Sequence, residues 1–147
     1  ALAQRRLARA SRHKPKFIHG NFVESSLPRC DAIVATLALH HIRTVLAKKQ
    51  FYGKCFKALR RGGMLVSGDA FLATHPMLDR RQMESWQAHM RKFYSSQEVK
   101  KFFSAWAEED TYFPLRQEIE MLTTVGFKVE VVWRRPPFAV VMGWKKE

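Results

Sequence analysis

Acidic residues are scarce in this chain: 13 Asp and Glu stand against 26 Lys and Arg, for a formal charge of +13. That excess draws anionic partners at long range, but charge alone does not choose nucleic acid among them. Cysteine is scarcer, with only Cys30 and Cys55. One precedes an apolar run and the other lies on a helical apolar face, which argues against a disulfide framework or a zinc site. Long hydrophobic runs are missing too. The longest, Ala32 to Ile42, is interrupted by His40 and His41 and falls far short of a membrane span. No secretory signal pattern is visible, so a cytoplasmic location without a membrane partner is the expectation. Glycine is sparse, and no Gly-x-Gly occurs, so a glycine-rich loop that cradles an anion is absent from these residues.

The 147 residues that are present include 46% hydrophobic and 12% aromatic residues, enough for one domain with a real core. Two short apolar runs, Asp31 to Thr36 and Met64 to Ser67, have the form of buried parallel strands. Between them Thr44 caps a helix in which Phe51, Tyr52, Cys55, Phe56 and Leu59 recur at three and four, with Gly62 as the stop. Strand, helix and strand make a crossover unit, whose ligands belong at the carboxyl ends of its strands. That end carries Thr36 to His41 and Asp69 to Phe71.

Upstream, Phe17 and Ile18 read as a brief strand ending in Gly20-Asn21-Phe22, and Ala1 to Arg12 as a helix with no start cap. An uncapped helix suggests a chain that begins inside an element of a longer protein. Arg5, Arg9, Arg12 and Lys16 share one helical face, as a solvated surface or a nucleic-acid contact. Downstream, residues 71–112 break the strand-helix rhythm and are dense in aromatics. Pro76 opens one helix, along which Met83, Trp86, Met90 and Phe93 are the apolar positions, and Ser95 with Glu98 forms a capping box for another. This segment is expected to pack over the strand ends. A helix from Pro114 to Val125, stopped by Gly126, precedes two strands so closely linked that they must run antiparallel.

Taken in order, Gly20-Asn21-Phe22, the run Asp31 to Ile42, Leu59 to Val66 ahead of Asp69, and Gly126-Phe127 before the closing strand pair resemble a class I S-adenosylmethionine-dependent methyltransferase. The resemblance implies an α/β fold: an incomplete Rossmann-like sheet with a C-terminal antiparallel hairpin and a helical insertion. Residues 1–147 would form a single partial domain, with 71–112 as its lid. Tyr94-Ser95 through Trp133 and Phe138 also look, more loosely, like the enzymes that modify the tRNA wobble uridine using carboxy-S-adenosylmethionine.

The resemblance implies S-adenosyl-L-methionine as cofactor, with Asn21 and Phe22 at the adenine and Thr36, Leu37 and Ala38 on the methionine side. It also implies the family's strand order, 3-2-1-4-5-7-6, in which the first two strands carry the glycine-rich loop and the ribose acid. Neither strand is visible here. A missing N-terminal segment or a second chain is therefore expected to complete the sheet, whose central edge would otherwise stand open.

For the chemistry, His40 or His41 at a strand's ligand end is the candidate base. Neighbours on an extended chain point opposite ways, so one of the two is expected to face the site. A metal held by His40, His41 and His75 is not expected, since adjacent histidines do not easily share an ion. Asp69 either orients substrate or caps a turn, and Phe71, Trp86, Tyr94 and Arg134 are further candidates for substrate binding. The function implied is methyl transfer to a small molecule or RNA. The alternatives are a non-catalytic methyltransferase-like partner subunit and a tRNA wobble-uridine carboxymethyltransferase.

Overall fold

In the computed structural model, which describes residues 15–146, the crossover unit forms as its pattern predicts. The helix expected over Ala1 to Arg12, with Arg5, Arg9 and Arg12, lies outside the described residues. Strand β1 (Cys30–Thr36) leads through a single 3₁₀ turn, Leu39–His41, to helix α1 (Val45–Ala58), and strand β2 (Leu59–Ala70) returns parallel to β1 with Ile33 opposite Leu65. Thr44 caps α1 by accepting a hydrogen bond from the Ala47 N–H at 3.1 Å. The helix ends earlier than the pattern suggested. Leu59 is already extended, and Gly62, at φ 72°, lies inside β2 rather than at the helix stop. The chain needs the freedom of glycine again at Gly63, where a Cβ would lie 2.9 Å from the carbonyl oxygens of Arg60 and Asp31.

Helix α2 (Pro76–Met90) starts on Pro76, and α3 (Ser96–Glu109) starts on the Ser95–Glu98 capping box. The expected apolar stripe of α2 stops at Met90; Phe93 lies beyond the helix and is exposed. Helix α4 (Leu115–Val125) ends on Gly126 in the left-handed region at φ 116°. Strands β3 (Lys128–Arg135) and β4 (Phe138–Trp144) form the antiparallel hairpin, and β4 inserts between β2 and β3 to give the order β1-β2-β4-β3.

The brief strand expected at Phe17 and Ile18 does not form; both side chains are exposed. The sheet has free edges at β1 and β3, but the segment pairs with neither, and a two-residue strand without a neighbour has no ladder to hold it.

Alternation along the strands sorts residues to two faces. Leu65, Ser67, Ala139 and Val141 point into a core closed by Phe51, Tyr52 and Cys55 of α1, Met121 and Leu122 of α4, and Phe127. On the opposite face, Val34 is 70% and Met64 39% exposed. The outer edge of β1 has no partner strand among the described residues. Among the described residues the sheet is thus covered mainly on one side, and its terminal strands β1 and β3 each keep a free edge.

Between α1 and α4 lies a buried ion pair. Lys48 Nζ reaches Glu118 Oε2 at 2.7 Å, and the Tyr52 hydroxyl donates to the other oxygen. Burial, and then the carboxylate beside it, pushes the Tyr52 pKa well above its ordinary value. Burial likewise pushes the Cys55 thiol up to about 12.

Two expectations follow from this core. Lys48→Ala leaves a buried carboxylate without its cation and should destabilise the fold by about 3–5 kcal/mol, while Lys48→Met with Glu118→Leu should lie much closer to the parent in urea midpoint. Raising the pH should also destabilise the protein. The unfolded chain loses its cysteine and tyrosine protons near their ordinary values of 9.0 and 10.0, whereas folded Cys55 and Tyr52 hold theirs to higher pH. The contribution of these two groups should therefore be constant below about pH 9 and be lost as the pH rises from there toward 12. A rising urea midpoint over that range would contradict the assignment.

Candidate functional site

The carboxyl ends of β1 and β2 are tied together by one side chain. Asp69, near the end of β2, is 4% exposed. Its Oδ2 accepts from the Leu39 and His40 N–H groups at 3.1 and 3.2 Å, and its Oδ1 accepts from the Ala70 N–H at 2.9 Å. The same Oδ1 lies 2.6 Å from His40 Nδ1. A carboxylate only accepts, so Nδ1 carries the hydrogen, and in the neutral ring the lone pair lies on Nε2. Asp69 is thus spent on the turn that precedes the helix, and no oxygen is left to orient a substrate. The sequence offered both roles, and the geometry assigns turn capping, on the turn after β1 rather than the one after β2.

Leu37, the first residue past β1, takes a left-handed φ of 48° and donates its N–H to Gly68 O at 2.8 Å. The chain then tightens into the 3₁₀ turn. This local geometry overrides the alternation expected of His40 and His41, because a turn, unlike a strand, can send adjacent side chains to one side. Their ring centroids are 4.3 Å apart, and both face Asp110. The expectation that only one faces the site is corrected accordingly.

A cavity of about 380 Å³ opens at this point. Leu37, His40, His41 and Ala70 form its floor, Trp86 and Trp106 stand over it, and Asp110, Tyr112 and Phe138 close the side. Trp86 anchors the wall: its ring stacks on Trp106 at 5.6 Å and meets Phe138 edge-on at 5.2 Å. Asp110 terminates α3, and the next residue is pinned where the Thr111 N–H donates to His40 O at 2.9 Å. The Tyr112 hydroxyl donates to Asp110 Oδ2 at 2.6 Å. Burial and then this bond to the carboxylate raise the Tyr112 pKa.

Of the residues singled out from the sequence, the structure gathers Leu37, His40, His41 and Trp86 around this cavity. Thr36 ends β1 and Ala38 precedes the 3₁₀ turn, close by in the chain. The others lie elsewhere. Asn21 is engaged in its own loop, its Oδ1 accepting from the Val23 N–H and its Nδ2 donating to Glu24, both at 3.0 Å. Phe22 packs edge-on against Phe51, and Phe71 is buried in the core. Tyr94 is exposed against Phe102, and Arg134 is exposed on the edge strand. His75 caps α2, its Nδ1 accepting from the Met77 N–H at 3.3 Å, and takes no part in the histidine cluster. Sequence reasoning missed Asp110 as a site residue. The one hint was its place as the last of three consecutive acids, after Glu108 and Glu109, at a helix end between aromatic segments.

No protein-family model matches the chain. It is 27% identical over 140 residues to the carboxy-S-adenosyl-L-methionine synthase of Nautilia profundicola, an alignment that covers 94% of this chain and 59% of that protein. Among solved structures, human N-acetylserotonin methyltransferase in complex with SAM superposes with a TM-score of 0.60 at 14% identity, covering 91% of this chain and 34% of that one. The S-adenosylmethionine-dependent methyltransferase SibL in its apo form gives 0.64 at 16% identity, covering 99% and 40%. The chain thus spans less than two thirds of each of these relatives. Its fold is that of the class I methyltransferases, and the order β1-β2-β4-β3 corresponds to that family's 4-5-7-6.

The tether at Asp69 can be tested directly. Asp69→Ala strands three buried N–H donors and frees the His40 ring, which should cost about 2–4 kcal/mol in urea denaturation. Asp69→Asn keeps one acceptor and should cost less.

Proposed function

We propose that this chain forms part of an S-adenosyl-L-methionine-dependent methyltransferase that acts on a small molecule or an RNA. Support comes chiefly from one observation, the aromatic-walled cavity at the carboxyl ends of two parallel strands in a class I methyltransferase fold. The cofactor, when bound, supplies an electrophilic methyl group on a sulfonium. The residues present fit the methyl-donor end of such a group, because Leu37, Ala70, Trp86 and Phe138 offer an apolar enclosure. The sugar and carboxylate end needs a glycine-rich loop, which these residues do not provide. We therefore assign the cofactor's other contacts to strands completing the sheet beyond β1, from a further segment or a second chain, with 71–112 as the lid of the domain.

In-line transfer demands alignment and the exclusion of water more than acid-base power. Trp86, Trp106 and Phe138 perform the exclusion. Where the acceptor must lose a proton, His41 is the better placed of the two histidines: its side chain is 50% exposed, whereas that of His40 is 10% exposed and bound to Asp69. His40 positions the turn that carries it.

A second reading is favoured by the likeness to the Nautilia protein over nearly the whole chain. In it the sulfonium compound is itself the substrate. A carboxylic-acid co-substrate gives up its carboxyl group to the sulfonium methyl and takes the displaced methyl proton in its place, and the product leaves as carboxy-S-adenosyl-L-methionine.

Calorimetry with S-adenosylhomocysteine tests the proposal, using this chain alone and with its sheet completed beyond β1. Binding is expected only in the completed sheet, weakened at least about tenfold by Trp86→Ala through lost aromatic contact. Absence of binding from both would leave a non-catalytic partner subunit. For a protic acceptor, His41→Ala should lower kcat by about 10²-fold while leaving affinity for S-adenosylhomocysteine nearly unchanged. Mass spectrometry of the recovered nucleoside separates the second reading from the first.

A further inference from the structure

We propose that His40, His41 and Asp110 form a site for a divalent transition-metal cation of the zinc class. The three residues offer one ligand atom each, and those atoms lie within 4.8 Å of one another. Asp110 Oδ1 is 3.1 Å from His41 Nδ1 and 3.7 Å from His40 Nε2. Ligands at about 2.0–2.1 Å around a tetrahedral zinc are separated by roughly 3.3 Å, so a small inward movement of the two rings suffices.

Three independent features favour a cation here. Asp110 has a side chain only 4% exposed, and its Oδ1 is buried with no hydrogen-bond partner, since neither ring meets it with hydrogen-bonding geometry. A buried carboxylate oxygen left in that condition is costly unless something positive faces it. His40 is arranged as metal-binding histidines are: its Nδ1–H donates to the Asp69 carboxylate, which fixes the tautomer and aims the Nε2 lone pair toward Asp110. The remaining oxygen of Asp110 is held by the Tyr112 hydroxyl, which fixes the carboxylate in turn. The site also sits at the carboxyl end of α3, where the helix dipole is negative, and Glu109 lines the same cavity.

Adjacent histidines can share the ion because they use different nitrogens, Nε2 of His40 and Nδ1 of His41, from a 3₁₀ turn. Two imidazoles and a carboxylate suit zinc rather than magnesium or calcium, and three protein ligands leave a fourth position open toward the cavity. The site does not rest on the methyl-transfer reading, since all three ligands are on the page without the cofactor. The two roles of His41 exclude each other: a metal on Nδ1 takes the nitrogen that would serve as base.

The test is calorimetric titration of the chelator-treated full chain with zinc, paired with the visible absorption of the cobalt-loaded protein. One zinc per chain at micromolar affinity or better is expected, with a tetrahedral cobalt spectrum free of thiolate bands. Asp110→Asn and His41→Ala should each weaken binding by about 10-fold or more, as loss of a ligand does, with unchanged circular dichroism. His75→Ala, outside the cluster, should bind as the parent does. Because His41 is half exposed, its variant is expected to fold even if a change at buried Asp110 does not. Substoichiometric zinc, or parental affinity in His41→Ala, would overturn the site.

Discussion

One carboxylate decides the shape of the functional end of this protein. Asp69 accepts from three backbone N–H groups and from the His40 ring, so it joins the end of β2 to the turn that follows β1. Without that tether the two strand ends would still lie side by side through the ladder from Ile33 and Leu65 to Thr36 and Gly68. They would not, however, present both histidines to the same cavity. A charge buried to this degree is tolerated because each of its oxygens is satisfied by the chain.

The aromatic wall depends on this arrangement from the other side. The segment leaving α3 is pinned to the histidine turn by the Thr111 N–H, which brings Asp110 and Tyr112 to the cavity and sets α3 beside Trp86. Floor and wall therefore share a hinge point at His40. The Lys48–Glu118 pair serves a different purpose: it fixes α1 against α4 on the covered face, away from the cavity. Its partners are fully used within the core, and it offers nothing to a ligand.

The open edge of β1 and the uncovered face that carries Val34 are the counterpart of this completeness on one side. Parallel strands ordinarily have both faces covered. A class I methyltransferase sheet continues past this edge, and the proposed cofactor contacts lie in that direction.

Local chemistry made much of the fold readable. The Thr44 cap, the Ser95–Glu98 box, Pro76 and the left-handed Gly126 act within a few residues, so β1, α1, the four helix starts or stops and the final hairpin follow from the chain itself. The brief strand at Phe17 and Ile18 and the run of α2 to Phe93 do not form as their patterns suggest, because pairing partners and packing surfaces are not local quantities. The site divides along the same line. His40, His41, Leu37 and Trp86 could be named from their places at strand ends and in an aromatic segment. That Asp69 faces inward, that two neighbouring histidines face the same way, and that Asp110 meets them from 69 residues further along the chain were decided only by tertiary structure. A hydrogen-bond acceptor finds its donors in space, and the sequence carries no record of which distant N–H will be left without a partner.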